Sequence, residues 1–81
     1  SICFYEFVRN TKNEIVYKKE YIFEKGQGIR ASLHKDTFYG KIEFEGEIIK
    51  THDDKVEIKG KIDIFTIPIY AIKKAHLQFQ F

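Results

Sequence analysis

A two-residue period constrains this chain more than any other feature. From position 41 to 48, Ile42, Phe44, Gly46 and Ile48 alternate with Lys41, Glu43, Glu45 and Glu47. Successive side chains leave a β-strand on opposite faces, whereas a helix needs an apolar period near 3.6. The alternation recurs. Ile29, Ala31 and Leu33 interleave with Arg30, Ser32 and His34. Val56 and Ile58 interleave with Lys55, Glu57 and Lys59. Ile62 and Ile64 interleave with Lys61 and Asp63, and that strand runs on to Ile67, where Pro68 ends ladder donation. Leu77, Phe79 and Phe81 alternate with His76, Gln78 and Gln80 as a last strand. Ile15, Tyr17, Lys19, Tyr21 and Phe23 face one way and Val16, Lys18, Glu20, Ile22 and Glu24 the other, although a helical turn over Lys18 to Glu24 also fits. Ile2 to Arg9, an apolar run broken at Glu6, reads as a strand buried on both faces.

Turn chemistry separates these runs. Asn10 to Asn13, Lys25 to Gly28, Lys35 to Gly40, Thr51 to Asp54 and Gly60 each carry residues that suit turns. Ile69 to Lys74 has room for one short helical turn. Composition agrees: 13 Ile, 8 Phe and 5 Tyr stand against two Leu, three Ala and no Met or Trp. Ile, Phe and Tyr favour pleated sheet, while Leu, Ala and Met favour helix. The expected fold is all-β, a small five-to-seven-stranded barrel of SH3/Sm-like type with at most one short helical turn. Bending so small a sheet needs a kink inside a strand, and Gly46 is placed for one. The 81 residues form one domain, residues 24–81 being the barrel and residues 1–23 extra strands or a linker.

Charge and cysteine narrow the function. Fourteen basic and twelve acidic residues give a net charge of +2, too small for a strong general affinity for nucleic acid. One cysteine, Cys3, excludes an internal disulfide framework and a cysteine-based zinc site. A single thiol suits a reducing, cytoplasmic setting. There is no apolar run of membrane-spanning length and no signal-peptide pattern at the start, although a signal peptide already removed would leave no trace. A chain starting at Ser1 reads as a processed product or as a piece of a longer protein.

No residue set supplies nucleophile, base and oxyanion donor together, so no catalytic residue, metal ligand or cofactor is expected. His52, Asp53 and Asp54 resemble a metal cluster in type, but all three sit in one expected turn. Gly26-Gln27-Gly28 precedes a strand, not the helix that a phosphate loop needs. Glu43, Glu45 and Glu47 are expected on a wet face opposite Lys55, Lys59 or Lys61. Cys3, among apolar residues, is expected to be buried and structural. His34, His52 and His76 fall in separate elements. Lysines interleave with aromatics at Tyr17-Lys18-Lys19-Glu20-Tyr21 and from Tyr70 to His76, a pattern suited to a cationic surface with stacking rings.

The ordered set Ile29-Arg30-Ala31-Ser32-Leu33, Gly40-Lys41-Ile42-Glu43-Phe44-Glu45-Gly46, Asp53-Asp54-Lys55-Val56-Glu57-Ile58, Phe65-Thr66-Ile67-Pro68 and Ile72-Lys73-Lys74-Ala75-His76-Leu77 resembles the C-terminal domain of the bacterial ribosome maturation factor RimP. The likeness covers about residues 24–81. It departs from the family before that: the interdomain Ser-Ser-Pro-Gly segment is absent, and Val8 to Glu14 stands in its place. The resemblance implies an Sm-like barrel and a non-catalytic assembly factor of the small ribosomal subunit, touching a small-subunit protein with ribosomal RNA close by. The contact residues it favours are Lys73, Lys74 and His76, with Arg30 and Lys35 on the neighbouring strand and loop. Two other readings stand beside it: an Sm-like RNA-binding ring whose edge strands pair between subunits, and a small phage- or plasmid-borne inhibitor or immunity protein. The sequence leaves the oligomeric state open.

Overall fold

The computed structural model describes residues 1–78. Seven strands follow one another: β1 (Ile2–Arg9), β2 (Ile15–Phe23), β3 (Gly28–Leu33), β4 (Glu43–Thr51), β5 (Lys55–Lys59), β6 (Ile64–Pro68) and, after a single 3-10 turn (Ile69–Ala71), β7 (Ile72–Gln78). All pairings are antiparallel. β1 and β2 form a two-stranded hairpin, and the rest form a five-stranded sheet in the order β6-β5-β4-β3-β7. The all-β expectation holds. Closure does not: among the described residues no ladder joins β6 to β7, so the expected barrel is an open, curled sheet.

The curl is centred on β4. Its first half pairs with β3 (Glu43 with Ser32 through Glu47 with Gly28), and its second half pairs with β5 (Glu47 with Lys59 through Thr51 with Val56). The two halves meet at Glu47, beside Gly46 and just before a register shift between Ile48 and Lys50. A strand that serves two neighbours in succession makes the corner of a folded sheet. Gly46 permits it: a Cβ there would lie 2.1 Å from the Lys59 carbonyl oxygen. The loop before β3 follows the bend. The Gly26 N–H donates to the Ile48 carbonyl at 2.7 Å, and the Ile48 N–H donates to the Gln27 carbonyl at 2.8 Å.

The inner face of the curl is the core. Ile29, Phe44, Ile48, Val56, Ile58 and Ile67 are fully buried, one or two from each of β3 to β6, as the alternation requires. The hairpin closes the open side with its base alone. Ile2, Phe4 and Phe23 join the core, and the Phe4 ring stacks on Phe23 at 5.6 Å and on Tyr21 at 5.9 Å. Farther out, every residue from 9 to 20 is exposed. Its tip is held by Asn10, whose Oδ1 accepts from the N–H groups of Lys12 (2.9 Å) and Glu14 (3.0 Å).

Several local expectations change. β1 is buried on one face only, and only at its base; Tyr5 and Phe7 on the other face are 43% and 54% exposed. Cys3 shares that outer face, half-buried, with Sγ 3.6 Å from a Glu20 carboxylate oxygen. β6 starts at Ile64 rather than Ile62, because the β5–β6 turn takes Gly60 to Asp63 and leaves Ile62 93% exposed. Ile42 precedes β4 and is exposed. Lys18 to Phe23 is strand, not helix. The expected strand through Phe79, Gln80 and Phe81 is seen as far as Gln78; those three residues lie outside the described ones.

Candidate binding surface

Among the described residues β7 is an edge strand. It pairs with β3 on one side, and its other side faces β1 across a groove. An unpaired strand edge offers a row of N–H and C=O groups to whatever lies beside it. One of these is taken up within the chain: the Ala75 N–H donates to the Glu6 carboxylate at 3.3 Å. A register shift opposite Ser32 and Leu33 adds one residue to β7 at this point. It turns the consecutive Lys73 and Lys74 outward together while Ile72 and Ala75 stay inside. Without that bulge, strict alternation would put one lysine in the core. Tyr5, Lys19 and His34 share the groove with the two lysines.

The outer face of the sheet grades from basic to acidic. Lys74 and His76 stand on β7, with His76 directly opposite Arg30 on β3. Arg30 is opposite Glu45 on β4, and its guanidinium lies 3.6 Å from that carboxylate with both groups well exposed, a weak pair. Ser32 Oγ donates to Glu43 at 3.4 Å. The three glutamates therefore do form a wet face, but Glu45 and Glu43 look toward β3; only Glu47 has an expected lysine, Lys59, opposite it. Lys73, Lys74, His76 and Arg30 thus lie on two adjacent strands. Lys35 stands apart, in the loop after β3, beside Phe38 and the exposed Tyr70.

Other expected features are placed as turns. His52, Asp53 and Asp54 make the β4–β5 connection, where the His52 N–H donates to the Lys55 carbonyl at 2.9 Å. The His52 ring lies 2.7 Å from the Glu57 carboxylate, and both side chains are half-buried. Among the described residues no three His, Cys, Asp or Glu side chains converge as metal ligands do. Of the interleaved aromatics, Tyr21 is stacked on Phe4, whereas Tyr17 and Tyr70 are exposed. On the outer face of the hairpin the phenol of Tyr5 is held above its ordinary pKa, first by the neighbouring Cys3 side chain and then by the nearby Glu20 carboxylate.

Sequence reasoning missed one cluster. Tyr39, in the loop after β3, packs edge-on against Phe65 at 5.1 Å and Phe44 at 6.0 Å, and its hydroxyl accepts the Thr66 N–H at 2.8 Å. The Lys41 ammonium sits over the Phe44 and Phe65 rings, 4.9 and 4.5 Å from their centres. The signal was present as two adjacent aromatics, Phe38-Tyr39, in a loop otherwise polar. Phe44 is buried and its ring already capped, so the cluster works as a lid on one end of the core.

No family model, no curated protein and no solved structure matches this chain.

Proposed function

We propose that this chain is a non-catalytic, cytoplasmic binding module that engages its partner along the outer side of β7, in the role the RimP likeness implies: assembly of the small ribosomal subunit. The observation that carries this is the placement of Lys73, Lys74 and His76, all exposed, on one strand whose outer side, among the described residues, pairs with no other strand and is only partly covered by β1. Main-chain groups along such an edge bind an extended segment of another protein by adding a strand, and flanking side chains select its sequence. Three cationic or protonatable groups select an acidic segment. Ribosomal RNA contacts fall on β7 alone, because Arg30 already faces Glu45 and the glutamate row beyond it repels phosphate.

The test is co-sedimentation with small ribosomal subunits. Replacing both lysines (Lys73→Glu, Lys74→Glu) reverses two exposed charges without touching the core. At roughly 1 kcal/mol per reversed contact, binding should weaken by more than tenfold. Arginine at both positions should preserve it. Unchanged co-sedimentation of the glutamate variant refutes the proposal.

A further inference from the structure

The outer half of the β1–β2 hairpin is unlike the rest of the molecule. Among the described residues β2 has β1 on one edge and no strand on the other, and several of its apolar residues stand in water: Ile15, Val16 and Tyr17 are each more than half exposed, and Ile22 is 44% exposed. A lone two-stranded ribbon is marginal in water, and an uncovered, β-branched edge strand is a template for pairing. The sequence of β2, Ile15-Val16-Tyr17-Lys18-Lys19-Glu20-Tyr21-Ile22-Phe23, is self-complementary about Lys19. We propose that β2 pairs antiparallel with the β2 of a second copy across a two-fold axis at Lys19, joining the two hairpins into one four-stranded sheet.

In that register each residue meets its mirror position. Tyr17 lies opposite the second copy's Tyr21, Val16 opposite its Ile22, and Lys18 opposite its Glu20. The two-fold repeats each pair, so two opposite-charge pairs, two tyrosine pairs and two aliphatic pairs form at once. Pairing this register keeps odd-numbered residues with odd and even with even, so both core-facing sides of the hairpins lie on the same side of the new sheet. Glu6 is the register partner of Lys19 on β1, so the central row reads acidic, basic, basic, acidic. Lysines in an edge strand normally discourage pairing. Here this register matches Lys18 with the second copy's Glu20 and leaves one like-charge row, the two Lys19 on the axis, which face each other at a cost that the two tyrosine pairs, two aliphatic pairs and two opposite-charge pairs outweigh. The proposal is independent of the ribosomal reading, which uses β7.

The test is sedimentation equilibrium of the full chain across a concentration series. The wild type should be a dimer. Lys18→Glu alone, or Glu20→Lys alone, turns both charge pairs into repulsive ones and should weaken dimerisation about tenfold. The double variant Lys18→Glu/Glu20→Lys restores opposite charges and should restore the dimer. In a Cys3→Ser background, Lys19→Cys should cross-link to itself on oxidation, because residues facing each other across an antiparallel pair lie about 4.5–5.5 Å apart; Val16→Cys should not. A wild-type monomer at every concentration overturns the proposal. So does a dimer indifferent to both single reversals, or one cross-linked through Val16→Cys but not through Lys19→Cys.

Discussion

Replacing Gly46 by alanine tests whether the sheet is built around its corner in β4. The added methyl would sit 2.1 Å from the Lys59 carbonyl oxygen, 2.7 Å from its carbon and 3.1 Å from the Gly60 nitrogen. All three are backbone atoms, so no side chain can rotate away. Ordinary contact lies beyond about 3.3 Å, so β4 and β5 must separate by roughly 1 Å where Glu47 pairs with Lys59. Overpacking of this kind costs about 1–3 kcal/mol, and loosening one ladder hydrogen bond adds about 1 kcal/mol. The entropy that alanine removes from the unfolded chain returns about 0.4–1 kcal/mol. The net loss is about 2 kcal/mol, against a total stability of about 4–12 kcal/mol for a chain of this length. With no tryptophan present, urea unfolding is best followed by far-UV circular dichroism, and the thermal midpoint should fall by roughly 8–16 °C. Gly26→Ala is the control. Its φ of +96° strains an alanine but open space surrounds it, so it should lose only about 1 kcal/mol. A Gly46→Ala protein as stable as the wild type, or no less stable than Gly26→Ala, refutes the corner as described.

Two further predictions address the features that sequence reasoning did not find. Tyr39→Phe removes the acceptor of the Thr66 N–H while keeping the ring against Phe44 and Phe65; it should cost about 1 kcal/mol and speed hydrogen exchange at Thr66, and unchanged exchange there would refute the bond's role. Tyr5, with its pKa raised by Cys3 and Glu20, should be among the last tyrosines to ionise in an ultraviolet titration, and Cys3→Ser with Glu20→Gln should bring it back toward 10.0. The folded state then binds its proton more tightly than the unfolded one. This contribution to stability is present below pH 10.0 and is lost as the pH rises through the raised value, so stability should fall, not rise, across that alkaline window.

Much of the fold is legible in the sequence because alternation maps directly onto a pleated surface. Ile29, Phe44, Ile48, Val56 and Ile58 fall inside for that reason, and Gly46, the one residue without a side chain in the clearest alternating run, stands at the bend. The errors share a cause. Hydropathy states what a side chain prefers, while burial depends on whether another element arrives to cover it. Ile2 to Arg9 reads as doubly buried, yet only the base of the hairpin reaches the core, and Cys3, Tyr5 and Phe7 face outward. Ile62 continues a perfect alternation and is still lost to a turn, because Gly60 closes that turn through its N–H bond to Asp63. Of the candidate contact residues, Lys73 and Lys74 are expected in a short helical turn, yet that turn ends at Ala71 and both lysines join His76 on β7, brought outward together by a bulge that spacing does not announce. That Arg30 is engaged by Glu45 follows from strand register, which local spacing does not reveal.

The return of β7 to β3 has a consequence for how the molecule assembles. Its paired residues are far apart along the chain, from 39 positions (72 − 33, Leu33 with Ile72) to 50 (78 − 28, Gly28 with Gln78). The β4–β5 and β5–β6 ladders begin only 5 positions apart, at Thr51 with Val56 and at Lys59 with Ile64. Closing a 39-residue loop instead of a 5-residue one costs about 2 kcal/mol more chain entropy. The meander from β3 to β6 is therefore kinetically local, and β7 is recruited onto it late, over the longest loop in the sheet. The strand that carries Lys73 and Lys74 is thus the last to be ordered, and the proposed contact surface is completed only when the rest of the sheet is already in place.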